Sequence, residues 1–233
     1  MAGFVGEAHT DLPAPSTTEA AAALVTHLHG DHTDVAAIAR ALAGGGPVLR
    51  PEEASGNGLE TVATLHAETG LREAGLPTRV LEPWETAQID EFTVTAVPAV
   101  DGFGDPQVSW VIEAGGRRIF HGGDTIFHGS WWLIAMRLGP LDAAFVPVNG
   151  AVCDFPHRQP PSPLAASMDP LQAATAVKVL GARVAVPVHY DAIHKPPVYS
   201  QVDDPPGAFG AAASRLGIES QILEPGETLE WRS

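Results

Sequence analysis

The stretch THLHGDH, at residues 26–32, decides how the rest of this sequence is interpreted. His27, His29, Asp31 and His32 carry the imidazole and carboxylate groups that a Zn²⁺-like ion takes as ligands. On an extended backbone the side chains of His27 and His29 point the same way, and the glycine after them permits a sharp turn. The stretch therefore predicts a metal site, with an ordinary polar turn as the alternative.

The residues around this stretch predict a strand before it and a helix after it. Residues 23–26 form a short apolar run that is typical of a buried strand. Apolar residues then recur at helical spacing over 33–42, and three glycines at 44–46 end the pattern. We therefore expect Asp31 and His32 at the N-terminus of this helix, next to the end of the strand.

Two more predicted strand ends carry residues of the same kind. The sequence HGGDT at residues 121–125 follows a strand, and its two glycines let the chain turn and place Asp124 at the strand end. His189 ends the buried run 184–188. Each feature alone is better explained as a common turn or a hydrogen-bonded core histidine. Three such strand ends in one chain predict that the side chains meet at one sheet edge.

The remaining pattern predicts a mixture of helices and strands in one domain, residues 1–233, with an irregular N-terminal segment at 1–20. Glycines 115 and 116 mark a tight hairpin between two strands, and the proline-rich stretch 150–167 is a long loop of a kind that often carries function. The further predicted helices cover 59–74, 169–180 and 208–216, and the strands cover 92–97, 109–114, 117–121, 143–146, 183–188, 221–223 and 228–231.

Composition narrows the class of partner. The formal net charge is −15 and the sequence has no cluster of basic residues. Both features disfavour nucleic acid as a binding partner. No run of 18 apolar residues exists, so we expect no membrane span. The N-terminus lacks the basic and apolar regions of a signal peptide, and Cys153 is the single cysteine. We therefore expect a cytoplasmic protein that acts on a small molecule.

THLHGDH, HGGDT and PVHY (187–190), in this order, resemble the metallo-β-lactamase superfamily. FVPVNG at 145–150 and MDP at 168–170 are similar to the branch that contains L-ascorbate-6-phosphate lactonase. The resemblance implies an α+β fold, a four-layer αββα sandwich with the metals at one edge of its two sheets. It also implies a metal-dependent hydrolase in which a metal-bound hydroxide attacks a small ester, lactone or phosphoester.

The resemblance further implies two divalent ions, Zn or Mn, with Fe as an alternative. In that scheme Asp31 also positions the hydroxide and carries a proton. The ligands carried over are His27 and His29 for metal 1, Asp31, His32 and His189 for metal 2, and Asp124 as the bridge between them.

The sequence departs from the superfamily where a further histidine of metal 1 is expected, because Asp101 occupies that position. A carboxylate in place of an imidazole would make the site harder and would favour Mn or Fe over Zn. Three interpretations stay open: Asp101 is a ligand, metal 1 is weak or absent, or Asp101 caps its own loop. Asp105 is the fallback ligand.

A second departure lies at the front of the chain, since relatives have two or more strands before the motif and only 26 residues precede His27 here. An N-terminal edge strand of the first sheet is therefore missing, replaced by the N-terminal segment, or covered by a second copy in a homo-oligomer.

Candidate substrate contacts are His128, His194 and Trp131, although each residue type is also common in ordinary packing. Arg158 lies in the proline-rich loop and is interpreted as a solvated arginine, with binding of an anionic substrate group as the alternative. Two other functions stay open on the same fold: a scaffold that has lost turnover and an iron redox enzyme.

Overall fold

The computed structural model describes residues 19–231. The expectations for residues 1–18, an irregular segment and the question of missing edge strands, lie outside the described residues. Within 19–231, no helix is long and apolar enough to cross a membrane.

Residues 19–231 form five helices and twelve strands, and five of the strands follow one another directly between the second and third helices. The helices are α1 (Val35–Ala41), α2 (Leu65–Glu73), α3 (Trp131–Leu138), α4 (Pro170–Leu180) and α5 (Pro205–Arg215). The strands are β1 (Ala23–Leu24), β2 (Val48–Arg50), β3 (Thr78–Val80), β4 (Thr86–Ile89), β5 (Phe92–Pro98), β6 (Val108–Ala114), β7 (Arg117–His121), β8 (Ala143–Pro147), β9 (Val152–Cys153), β10 (Val184–Val188), β11 (Tyr199–Ser200) and β12 (Glu219–Ser220).

Two sheets form the centre of the fold. The smaller one has the order β1-β2-β3 with parallel pairing, and the larger one has the order β12-β10-β8-β7-β6-β5-β4. In the larger sheet β7, β8, β10 and β12 run parallel, while β4 to β7 pair antiparallel. Strands β5, β7 and β10 therefore point in the same direction, and their carboxyl ends lie at one edge of the sheet.

Three buried apolar clusters separate four layers. Val48 in β2 packs with Leu42 and Leu71 under α1 and α2, whereas its neighbour Leu49 faces the larger sheet and packs with Trp110. This alternation follows from the period of two along a strand. On the far side of the larger sheet, a third cluster joins residues of β7 and β8 to α3, α4 and α5. The expected αββα sandwich is therefore confirmed.

The capping signals of α4 are realised in the structure. The Asp169 carboxylate accepts from the Gln172 backbone N–H at 2.8 Å, and the Gln172 side chain accepts from the Asp169 N–H at 3.2 Å. Gly181 ends the helix with φ +66°. Such a reciprocal cap satisfies two backbone donors that a helix start would otherwise leave open.

Several element boundaries differ from the sequence expectation. Helix α2 begins at Leu65 rather than at 59, because residues 57–64 form turns in which the Thr61 carbonyl accepts from the Thr64 and Leu65 N–H groups. Helix α1 is capped by Asp34, so Asp31 lies in the turn before the helix rather than in its first turn.

Other expectations need correction. Helix α3 was not predicted, and the stretch 150–167 contains the short strand β9. The strand expected at 221–223 lies at 219–220 instead, and residues 228–231 do not form a strand. At the last of these, the Gln221 side-chain amide donates to the Glu230 carbonyl at 2.8 Å and accepts from its N–H at 3.1 Å. The Gln221 side chain thus occupies the Glu230 N–H and carbonyl groups that would otherwise pair with a neighbouring strand.

Candidate metal centre

Seven histidine and aspartate side chains from four separate segments meet at the sheet edge where β5, β7 and β10 end. They form three overlapping groups, in each of which the candidate ligand atoms lie within 4.8 Å of one another. The groups are His27, His29 and Asp101; His27, His32 and Asp124; and Asp31, His32 and His189. Because His27 and His32 each belong to two groups, the three groups form one continuous cluster.

The segment after β1 passes from the small sheet to the large one and carries the first ligand candidates with it. The Val25 N–H donates to the Leu49 carbonyl of β2, and the Thr26 carbonyl accepts from Val108 at the start of β6, at 2.8 and 2.9 Å. His27 then pairs with Gln107. Backbone hydrogen bonds to both sheets therefore fix the direction in which the motif enters the cluster.

Gly123 allows Asp124 to come close to the motif. Its backbone has φ +65°, and a Cβ atom at this position would lie 2.7 Å from Thr26 Cβ and Oγ1. Real Cβ atoms do not approach that closely, so a side chain would push the Asp124 turn away from His27. The second glycine of the HGGDT motif is therefore required by both conformation and contact.

His27 is fully buried, and the arrangement of its ring suits a metal ion. Its Nδ1 lies 3.1 Å from Thr26 Oγ1, while its buried Nε2 has no hydrogen-bond partner within residues 19–231. Burial, followed by the charges of His32 and His29, lowers the pKa of His27 well below its usual range. A neutral imidazole with a buried open nitrogen is the form that binds a divalent cation.

His29 is held by a carboxylate that is itself paired with an arginine. Its Nε2 lies 2.9 Å from Asp105 Oδ2, and the same oxygen accepts from Arg158 Nη2 at 2.9 Å. Burial acts to lower the pKa of His29, but the Asp105 hydrogen bond and the charges of Asp101 and Asp31 outweigh it and raise the pKa. With Nε2 engaged, Nδ1 is the nitrogen left for an ion, which is the usual carboxylate–histidine–metal arrangement.

This geometry changes the interpretation of two residues. Asp105 lies behind His29 as its hydrogen-bond partner. Arg158 forms a half-buried ion pair with Asp105 rather than standing in solvent, so the interpretation as a solvated arginine is wrong.

Asp101 combines two of the alternatives that the sequence left open. One carboxylate oxygen, Oδ2, accepts from the N–H groups of Phe103 at 2.7 Å and Asp105 at 3.1 Å, as a loop cap does. The residue is also buried and belongs to the group with His27 and His29. Burial raises the pKa of Asp101, although the charge of His29 opposes the effect. Since Oδ2 takes the cap, Oδ1 is the oxygen left to face an ion.

His32 and His189 face each other at the other end of the cluster. Their Nε2 atoms lie 3.1 Å apart, and His189 Nδ1 lies 3.1 Å from Asp124 Oδ1 without the geometry of a hydrogen bond. His189 adopts φ +60°, a left-handed conformation that costs a residue with a side chain about 1–3 kcal/mol. Asp31 lies 3.7 Å from His32 Nε2, with its side chain partly exposed.

The three predicted substrate contacts lie in different environments. Trp131 is fully buried in the core under the large sheet, where it packs against Phe120, so the structure gives no support for substrate contact there. His128 stacks on Trp131 with ring centroids 4.6 Å apart, and burial lowers its pKa to about 4. His194 is exposed in the loop after β10.

Comparisons with known proteins agree with this architecture. Residues 2–190 match the family model of the β-lactamase superfamily domain. A metal-dependent hydrolase of the UPF0173 group from Thermococcus onnurineus is 30% identical over 93% of this chain and 84% of its own length. These matches do not distinguish the ascorbate-6-phosphate lactonase branch from the rest of the superfamily, so the assignment to that branch stays a prediction.

Two solved structures share the fold. Igni18, a metallo hydrolase from Ignicoccus hospitalis, has a TM-score of 0.66 at 22% identity and covers 95% of this chain and 88% of its own. CmlA, a diiron β-hydroxylase from Streptomyces venezuelae, has a TM-score of 0.69 at 19% identity and covers 92% of this chain and 45% of its own. With the fold and the family match together, the chain belongs to the metallo-β-lactamase superfamily and is a metal-dependent hydrolase.

Proposed function

We propose that this chain is a dinuclear metal hydrolase that cleaves a small ester, lactone or phosphoester at the cluster around His27. The observation that carries the proposal is the overlap of three ligand groups, which brings four imidazoles and three carboxylates within reach of two adjacent ions. His27, His29 and Asp101 would hold one ion, and Asp31, His32 and His189 the other. Asp124 lies with His27 and His32 and would be shared.

The donor set fits such a centre. His27 Nε2 is buried and unpartnered within 19–231, and two imidazole nitrogens stand 3.1 Å apart at His32 and His189. That separation is a hydrogen-bonding distance, and it would also let both nitrogens bind one cation. Divalent ions held by these residues would supply Lewis-acid chemistry, which makes water a nucleophile near neutral pH and polarises the group under attack.

Side chains of the protein itself would position the attacking water and accept its proton. Asp31 is the most exposed of the seven side chains, so its carboxylate can meet both an ion and the incoming substrate and can accept the proton of the attacking water. Asp105 fixes the ring of His29, and the Arg158 pair fixes Asp105. No side chain of the protein needs to act as a nucleophile in this scheme.

Asp101 favours a second candidate, an iron-dependent redox enzyme. Three carboxylates beside four imidazoles form a harder ligand set than histidine alone, and such sets suit Mn and Fe. CmlA, which has the same fold, is described as a diiron β-hydroxylase. A purified protein that carries iron, takes up oxygen and leaves esters intact would favour this candidate over the hydrolase.

The test compares Asp124→Asn with Asp203→Asn, an exposed aspartate in the loop before α5. Turnover of an ester, lactone and phosphodiester panel and bound metal are measured for both variants and the parent. We expect Asp124→Asn to abolish turnover and reduce bound metal, while Asp203→Asn matches the parent. Full activity in the Asp124 variant would refute the assignment.

A further inference from the structure

The turn that carries Asp124 starts from a glycine that both neighbouring strands hold in place. His121 is the last residue of β7, and after it the Gly122 N–H donates to the Phe145 carbonyl of β8 at 2.9 Å. The Gly122 carbonyl accepts from the Ser109 hydroxyl of β6 at 2.8 Å. The large sheet therefore fixes the first glycine of the turn.

The second glycine of the turn is held by a side chain. The Gly123 N–H donates to His121 Nδ1 at 3.1 Å. The His121 ring is itself placed against β8, because it stacks on the Phe145 ring with 9° between the planes and the centroids 6.2 Å apart. Since Nδ1 accepts a hydrogen bond, the neutral imidazole carries its proton on Nε2. The ring thus connects β8 with the residue directly before Asp124.

The direction of the Asp124 carboxylate depends on this turn. Its Oδ1 is buried and has no hydrogen-bond partner among the residues that the structure describes, although His189 Nδ1 lies 3.1 Å away. The same side chain belongs to the ligand group with His27 and His32. Because no hydrogen bond orients Oδ1, its position follows from the backbone that carries it.

We propose that His121 is a positioning residue for the metal centre, in which Nδ1 holds the Gly123 N–H and thereby keeps Asp124 within its ligand group. The inference rests on the proposed dinuclear function, and it adds a residue outside the seven candidate ligands. It also gives a role to the histidine that opens the HGGDT motif. A contact of the same ring through Nε2, for example with the substrate, is the alternative that the test separates from it.

Substitutions of His121 distinguish the two nitrogens of its ring. Asparagine carries Oδ1 one bond beyond Cγ, as histidine carries Nδ1, and it readily accepts from the N–H two residues ahead. Glutamine places its amide one atom farther out, near the position of Nε2. His121 is exposed, so His121→Asn, His121→Gln and His121→Ala leave the core unchanged.

Ser162→Ala is the matched control. The Ser162 hydroxyl accepts from the Leu164 N–H at 3.1 Å, which is a bond of the same spacing along the chain. Both residues are exposed in the proline-rich loop, and neither belongs to a ligand group. Loss of this bond tests whether any disrupted turn would weaken metal binding.

The first experiment uses the metal-free protein, so it does not depend on catalysis. The ring nitrogens of His121 and the solvent exchange of the Gly123 amide are followed by NMR at about pH 8, where an ordinary imidazole is neutral. We expect an unprotonated Nδ1. We expect the Gly123 amide to exchange about fivefold or more faster in His121→Ala and His121→Gln, and at the parent rate in His121→Asn.

The second experiment measures the Kd of each Zn²⁺ ion by competition with a chelating dye. We expect at least one Kd to rise about 10–100-fold in His121→Ala and His121→Gln. The values for His121→Asn and Ser162→Ala should match the parent.

Three results would overturn the proposal: unchanged Gly123 exchange or Zn²⁺ affinity in His121→Ala, equal losses in His121→Ala and His121→Asn, or an equal loss in Ser162→Ala. Recovery in His121→Gln and not in His121→Asn would also overturn it, in favour of a contact through Nε2. A parent protein that binds no Zn²⁺ would refute the proposed function, and the exchange pattern of Gly123 would then decide whether His121 holds the turn.

Discussion

Replacing Asp105 by asparagine tests how the protein holds its candidate metal ligands. The substitution keeps the size of the side chain and removes the charge that lies 2.9 Å from both His29 Nε2 and Arg158 Nη2. Loss of a carboxylate behind a ligating histidine lowers metal affinity by about 10–100-fold. Since each factor of ten is about 1.4 kcal/mol, the expected loss is about 1.4–2.8 kcal/mol.

The assay is competition for the metal with a chelating dye, which gives the Kd of each ion separately. The Kd of the ion held by His27, His29 and Asp101 is expected to rise in Asp105→Asn, because His29 belongs to that group. Asp154→Asn serves as the control, since Asp154 is exposed in the proline-rich loop and bonds to Gln159. A change of less than twofold in both Kd values for Asp105→Asn would refute the reasoning that Asp105 orients a metal ligand.

Three further predictions follow from the same contacts. Asp101→Ala is expected to lower the metal content toward one ion per chain, as measured by mass spectrometry, and an unchanged ratio would exclude Asp101 as a ligand. Gly123→Ala forces a Cβ against Thr26 at 2.7 Å, so we expect about 1–3 kcal/mol lower free energy of unfolding in urea together with weaker metal binding. Trp131→Ala should cost about 3–5 kcal/mol of unfolding free energy because the side chain is fully buried, and a loss of activity with unchanged stability would instead indicate substrate contact.

The parts of the fold that sequence predicts well are those with a strong local cause. Helix α4 has a capping aspartate, a proline in its first turn and a terminal glycine, and the structure uses all three. The hairpin between β6 and β7 needs positive φ at Gly115 and Gly116, and both glycines adopt it.

The parts that sequence misses lack such signals. Strands β2 and β3 have three residues each, too few to show a period, and they exist because parallel neighbours pair with them. Helix α3 is short, its N-cap residue Ser130 makes no side-chain capping hydrogen bond, and it starts with two tryptophans, a residue type that also suits a pocket wall. Its apolar residues therefore gave no amphipathic pattern that could be separated from a loop.

In the candidate site, too, some features have a local sequence signal and others do not. The strand ends at His27, Asp124 and His189 could be recognised locally, and the expectation that they meet at one edge follows from sheet geometry. The contact between His29 and Asp105 spans 76 residues, and the partner of Arg158 lies 53 residues before it. No local pattern carries those pairings, which arise from the packing of the β5–β6 loop against the proline-rich loop.

The metal content of the protein tests the central claim most directly. Mass spectrometry of protein purified without added metal, and again after loading with Zn²⁺ or Mn²⁺ and removal of the excess, gives the identity of the ion and the number per chain. The overlapping ligand groups predict close to two ions per chain, with the number falling in Asp124→Asn. One ion or none after loading would contradict the dinuclear centre.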